Sequence, residues 1–120
     1  MIKLPFIDLE NEEWTHIMPG VRAKTPHGEK IMLSYVKFDN GSSVPEHSHP
    51  HEQACRVLEG ELEFVLGGEK KLCKPGDMLI IPGGVPHSAA APNGPVLCLD
   101  IFSPPREDYA NKQNSFMSDD

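Results

Sequence analysis

The sequence predicts an all-β domain closed into a barrel, on three observations. Its apolar runs are short, with polar residues alternating through several of them. At least six such runs occur, and turn residues separate them. Most of the 12 prolines and 10 glycines fall between the runs, which suits a many-turned β domain better than a helical one. Closure into a barrel also removes the unpaired edges that short strands in an open sheet would expose.

At 120 residues the chain is one domain with room for a core. Residues 1–30 read as an N-terminal arm with one or more edge strands. Its first part ends at Met18-Pro19-Gly20 and is expected as an edge strand or as a segment exchanged between dimer subunits. Residues 31–106 hold the barrel. Within it, Ile31 to Phe38 is the first strand, closed by the turn Asp39-Asn40-Gly41-Ser42. His47 to Leu58 is expected as one strand interrupted near Pro50 and turned by Glu59-Gly60. Glu61 to Leu66 alternates cleanly, with Leu62, Phe64 and Leu66 on one face. Gly67-Gly68 is a two-residue hairpin signal, after which Glu69 to Cys73 returns. Lys74-Pro75-Gly76-Asp77 turns the chain into the apolar strand Met78 to Ile81. Pro82 to Pro86 is a loop that feeds His87, and Val96 to Phe102 is the last strand. Residues 107–120 are expected as a flexible polar tail, because the sequence from Asp108 onward is polar and aperiodic.

The charge balance narrows the function classes. Eighteen acidic side chains against 11 basic ones give a net charge of −7, with no Lys/Arg stripe to track phosphates, so a nucleic-acid partner is not expected. No apolar run approaches membrane-spanning length. The first residues turn acidic without the apolar run or cleavage site of a signal peptide, so a cytoplasmic location is expected. Cys55, Cys73 and Cys98 are odd in number and lack CxxC spacing, which suits reduced thiols.

The residues that carry chemistry are His47-x-His49-x-x-x-Gln53, followed further on by His87. Imidazole is the commonest protein ligand for transition metals, and histidines two apart on a strand point to the same side. An isolated pair of this kind reads as ordinary satisfied polar groups; two further ligand-capable side chains are what weigh against that reading. Strand parity sets Glu52 on the opposite face. His51 has the right parity but follows Pro50, so ligation, support of another ligand and simple surface exposure all stay open for it. His16 and His27 have no partners in sequence and read as surface residues. On the last strand, Asp100 stands among apolar neighbours, where a carboxylate is costly unless paired or used. Arg106 lies just beyond, as a substrate clamp or as the partner of Asp100 in a structural ion pair.

Two longer patterns give these residues a family context. Gly41-x5-His47-x-His49-x3-Gln53-x6-Gly60 resembles the first cupin motif, and Gly76-x5-Pro82-x-Gly84-x2-His87 resembles the second. The resemblance implies a single-domain cupin, a double-stranded β-helix or jelly-roll barrel. At cupin spacing, His47, His49, Gln53 and His87 are the implied ligands of one divalent transition metal ion (Zn, Ni, Mn or Fe, with Cu also admitted by nitrogen-rich ligation). Gln53 stands where most cupins have Glu, and Ala91 stands where the second motif often ends in Asn. A neutral amide leaves the charge of the ion uncompensated, which favours an anionic substrate oxygen or Lewis-acid work.

His47-Ser-His49-Pro-His51-Glu-Gln53, Leu58-Glu-Gly60-Glu-Leu62-Glu-Phe64 and Asp100-Ile-Phe102-Ser-Pro-Pro-Arg106-Glu-Asp-Tyr109 together look like the KdgF family of small cupins, over roughly residues 30 to 109. That resemblance implies an enzyme that opens 4,5-unsaturated uronates, released by pectin and alginate lyases, into linear 4-deoxy-5-keto acids. It makes the Gln53 departure an agreement and assigns Asp100, Phe102 and Arg106 to the catalytic pocket. Two rivals stand beside this reading. One is a metal-dependent cupin dioxygenase. The other is a non-catalytic small-molecule-binding cupin, weakened because no helix-turn-helix or other output domain is attached. The expected partners are a small anionic substrate and, by default for a soluble protein with such an arm, a second copy in a homodimer.

Overall fold

The computed structural model describes residues 6–110. After a 3-10 turn at Leu9–Asn11, ten strands follow in chain order. They are β1 (Thr15–Met18), β2 (Val21–Lys24), β3 (Met32–Phe38), β4 (Ser43–His47), β5 (Glu52–Glu59), β6 (Leu62–Leu66), β7 (Glu69–Cys73), β8 (Met78–Ile81), β9 (His87–Ala90) and β10 (Val96–Ser103). A short helix, α1 (Glu107–Ala110), closes the described chain. Six strands form one antiparallel sheet in the order β1-β2-β3-β10-β5-β8, and four form the other in the order β4-β9-β6-β7. From β3 onward most connections pass from one sheet to the other, so the two sheets wrap a common interior as a jelly roll.

Period-two alternation dictates what fills that interior. Along β3, Met32, Ser34, Val36 and Phe38 are buried while Lys37 is exposed. Along β5, Gln53, Cys55 and Val57 are buried and Glu52, Arg56 and Glu59 face out. Leu62 and Phe64 of β6 meet these side chains from the smaller sheet, and Ile17, Val21, Ile81 and Val96 complete the same buried cluster. The hairpin β6–β7 turns on Gly67 and Gly68, whose φ values of +56° and +87° are the left-handed pair that a two-residue primed turn requires.

Two expectations change, and a third is narrowed to one of its alternatives. The single strand from His47 to Leu58 is two strands in different sheets, β4 and β5, and residues 48–51 carry the chain across between them. Pro50 belongs to that crossing, with the left-handed Gly84 bonded to the His49 carbonyl beside it, and a backbone that must change sheets cannot stay extended. Of the two readings of the N-terminal arm the edge strand holds, since β1 lies at one edge of the larger sheet, paired with β2, and β2 with β3 of the same chain. The flexible tail expected from residue 107 does not begin there, because residues 107–110 are helical and Tyr109 is buried. Residues 1–5 of the arm and 111–120 of the tail lie outside the described residues. Among those described, no helix is long and apolar enough to cross a membrane.

Candidate metal centre

His47 ends β4 and pairs in register with His87, the first residue of β9, so adjacent strands bring the two rings to 4.3 Å between centroids. His49 comes from the crossing segment, and its ring lies 4.9 Å from that of His87 and 5.8 Å from that of His47. Glycines of the second motif hold this segment in place. The Gly84 N–H donates to the His49 carbonyl at 2.8 Å, and any Cβ on Gly83 would run into the Pro50 carbonyl oxygen. One nitrogen from each of the three histidines can be chosen such that all lie within 4.8 Å of one another.

The outer face of each ring explains which nitrogen that is. His47 Nδ1 donates to the Pro45 carbonyl at 2.8 Å, His87 Nδ1 to Val85 at 2.9 Å and His49 Nδ1 to His51 at 3.1 Å. A carbonyl only accepts, so the proton sits on Nδ1 and Nε2 is left as an acceptor, the tautomer that metal-binding histidines adopt. His87 Nε2 is buried with no hydrogen-bond partner, and His49 Nε2 lies 3.0 Å from Gln53 Oε1. Two acceptors facing each other beside a third buried acceptor fit a cation at their common point. All three imidazoles are held neutral. Burial pushes the His47 pKa down to about 4, with His87, Arg106 and His49 lowering it further against the Pro45 hydrogen bond. Burial is also the main cause that lowers His49 and His87.

Gln53 joins this cluster to a second group of residues. It pairs with Phe102 across β5–β10, and Asp100 pairs with Cys55 two residues along. The Gln53 amide donates towards Asp100, which orients its oxygen towards His49. A glutamate here would set two carboxylates together. Burial pushes the Asp100 carboxyl up to about 6, against the pull of the Cys55 thiol, the Gln53 amide and the Arg106 guanidinium. Asp100 keeps part of its surface open to the cavity, yet its Oδ1 is enclosed and makes no hydrogen bond. Phe102 is fully buried, its ring edge-on to His49 at 5.7 Å.

Arg106 is buried and lines the same cavity as His47, Gln53, His87, Asp100 and Phe102. It forks onto Asp108, with Nε at 3.2 Å and Nη2 at 2.9 Å, so the bidentate pair weighed for Asp100 forms with Asp108. Arg106 acts on Asp100 through space. Its guanidinium also lies 4.1 Å from the Tyr109 ring centre and 5.5 Å from that of Phe102. Asp108 and Tyr109 were missed as site residues because a polar, aperiodic stretch gives no period to read. His51 stands outside the triad. Its carbonyl receives His49 and its Nε2 meets Glu107 at 3.1 Å, so it backs the His49 ring. Glu52 is exposed, on the face opposite Gln53. His16 is exposed, and His27 is half-buried with Nδ1 3.3 Å from the Thr25 carbonyl.

Two antiparallel sheets around three converging imidazoles define a class of protein, and the cupin domain family model matches residues 34–102: the chain belongs to the cupin family. Within it the chain groups with KdgF. It is 30% identical to the pectin degradation protein KdgF of Dickeya dadantii over 106 residues, 87% of this chain and 96% of that protein. The structure of KdgF from Halomonas sp. is 36% identical, with a TM-score of 0.80 over 87% of this chain and 96% of that one. An RmlC-like cupin from Shewanella frigidimarina is 30% identical, with a TM-score of 0.84 over 89% and 96% of the two chains.

Proposed function

We propose that this protein is a metal-dependent enzyme of pectin degradation that opens 4,5-unsaturated uronates into linear 4-deoxy-5-keto acids. The observation that carries the reading is a neutral cluster of three histidines, two of which, His47 and His87, line one cavity with the Asp100 carboxyl and a buried guanidinium. The similarity to KdgF supports the substrate class. His47, His49, His87 and the Gln53 oxygen would hold one divalent transition metal ion, which supplies Lewis acidity to substrate oxygens.

The reaction is an isomerisation and needs a proton moved from oxygen to carbon. Asp100 takes the proton of the anomeric hydroxyl. The bond from C1 to the ring oxygen then breaks, leaving an aldehyde at C1 and an enolate across C5 and C4. Return of the same proton to C4 leaves a ketone at C5. A carboxyl raised to about 6 suits both halves, because it is ionised at neutral pH and still a competent acid. Arg106 attracts the uronate carboxylate, fixed for that task by Asp108 and Tyr109. Phe102 packs against the sugar and holds His49 edge-on.

The test is incubation of metal-replete protein with unsaturated galacturonate, following loss of the conjugated ultraviolet absorbance. Accelerated loss that disappears in a Gln53→Ala, His87→Ala double variant is expected. No acceleration with metal bound would reject the reading.

A further inference from the structure

We propose that Cys55, Cys98 and Asp100 form a second cation site, of sulphur and carboxylate character, in the wall of the same cavity. It would take a thiophilic ion such as Cd2+ or Zn2+ and is separate from the histidine centre.

The three side chains come from paired strands. Asp100 of β10 stands opposite Cys55 of β5, and Cys98 stands opposite Val57, so Cys98 is the diagonal neighbour of Cys55 on the inner face. Their two sulphurs and a carboxylate oxygen all lie within 4.8 Å of one another. Sulphurs bound to one tetrahedral ion at Zn–S lengths are about 3.8 Å apart, which this spacing accommodates. A disulfide is a poorer fit, because diagonal neighbours stand about 7–8 Å apart at Cα, beyond the usual span of the bond.

A second observation points to a ligand. Asp100 Oδ1 is buried without a hydrogen-bond partner. All three residues line the cavity, which provides the route of entry. The charge also balances. An ionised Asp100 with two thiols carries −1; a divalent ion that displaces both thiol protons to solvent leaves two thiolates, one carboxylate and the ion, again −1. Filling the site therefore adds no net charge to a buried position. Two of the three donors are sulphur, which favours thiophilic ions over hard cations.

The two sites differ in their spectra, because the histidine centre contains no sulphur. Metal-replete protein is titrated with Cd2+ while the ultraviolet thiolate-to-cadmium charge-transfer band is followed. A saturable band is expected that persists in Cys73→Ser and in a His47→Ala, His87→Ala variant and is lost in Cys55→Ser, Cys98→Ser. Absence of the band in the wild-type protein, or its survival without Cys55 and Cys98, would overturn the proposal. If the double cysteine variant fails to fold, cadmium NMR of the wild-type protein decides: a sulphur-ligated resonance supports the site, and nitrogen- and oxygen-ligated signals alone reject it.

Discussion

Replacing Asp100 by Asn should move activity and stability in opposite directions. The Asn side chain keeps the shape and accepts the Gln53 amide, but it cannot carry the proton. Turnover is expected to fall by about 10²- to 10⁴-fold, the usual weight of a positioned acid–base group, while metal content stays that of the wild type. On the proposed mechanism, in which the ionised carboxylate starts the reaction, wild-type kcat/KM should rise about tenfold per pH unit below an inflection at or below about 6 and then level.

The stability change follows from the same shift. Burial raises Asp100 from 3.8 to about 6, so the folded protein binds the proton more tightly than the unfolded chain. Stability from this group is full below about 3.8 and is lost as pH rises through 6, by about 3 kcal/mol at 1.36 kcal/mol per unit. Asn escapes that loss but places an NH2 beside a position with no hydrogen-bond partner, at about 1–3 kcal/mol. Above pH 7, metal-free Asp100→Asn should therefore be more stable than the wild type by on the order of 1 kcal/mol, with the advantage gone by pH 4. Denaturant unfolding at the two pH values measures it. Retained turnover, or a stability difference that grows on acidification, would refute the reasoning.

His87→Ala removes a buried nitrogen that no protein group satisfies, so metal affinity should drop by more than about 100-fold while metal-free stability changes little; metal analysis and thermal unfolding check this. Gly83→Ala drives a methyl into the Pro50 carbonyl and shifts the segment carrying His49, so metal loss is expected although no ligand is changed. Asp108→Ala leaves Arg106 buried without its fork, which should cost about 3 kcal/mol and raise KM more than it lowers kcat. The depressed His47 favours the neutral form in the folded state, so its contribution falls as pH drops from 6.5 towards 4, opposite in sign to that of Asp100. Chemical-shift titration of the His47 ring in the metal-free protein tests it: an ordinary histidine midpoint contradicts the burial described.

Much of the barrel was legible because its strands alternate and its turns carry Gly and Pro. Glu69–Cys73 and Met78–Ile81 come out at the bounds the pattern predicts. β4 and β9 were not read, since Ser43–His47 and His87–Ala90 are short, half-exposed and without clean alternation. His47, His49 and Gln53 were grouped by the parity of one strand that does not exist. They meet because the chain crosses between sheets at Pro50, a geometry that period-two counting cannot represent.

Alternation and residue chemistry are local properties, so the all-β class, the four ligand-type side chains and the isolated Asp100 can be read along the chain. The remaining features come from the three-dimensional arrangement. That arrangement chose Nε2 on each histidine through carbonyls behind the rings, turned the Gln53 amide between Asp100 and His49, and gave Arg106 to Asp108. It also set Cys55 beside Cys98 and Asp100. These are relations between strands distant in the chain, set by register and burial, and no local pattern encodes which strand becomes whose neighbour.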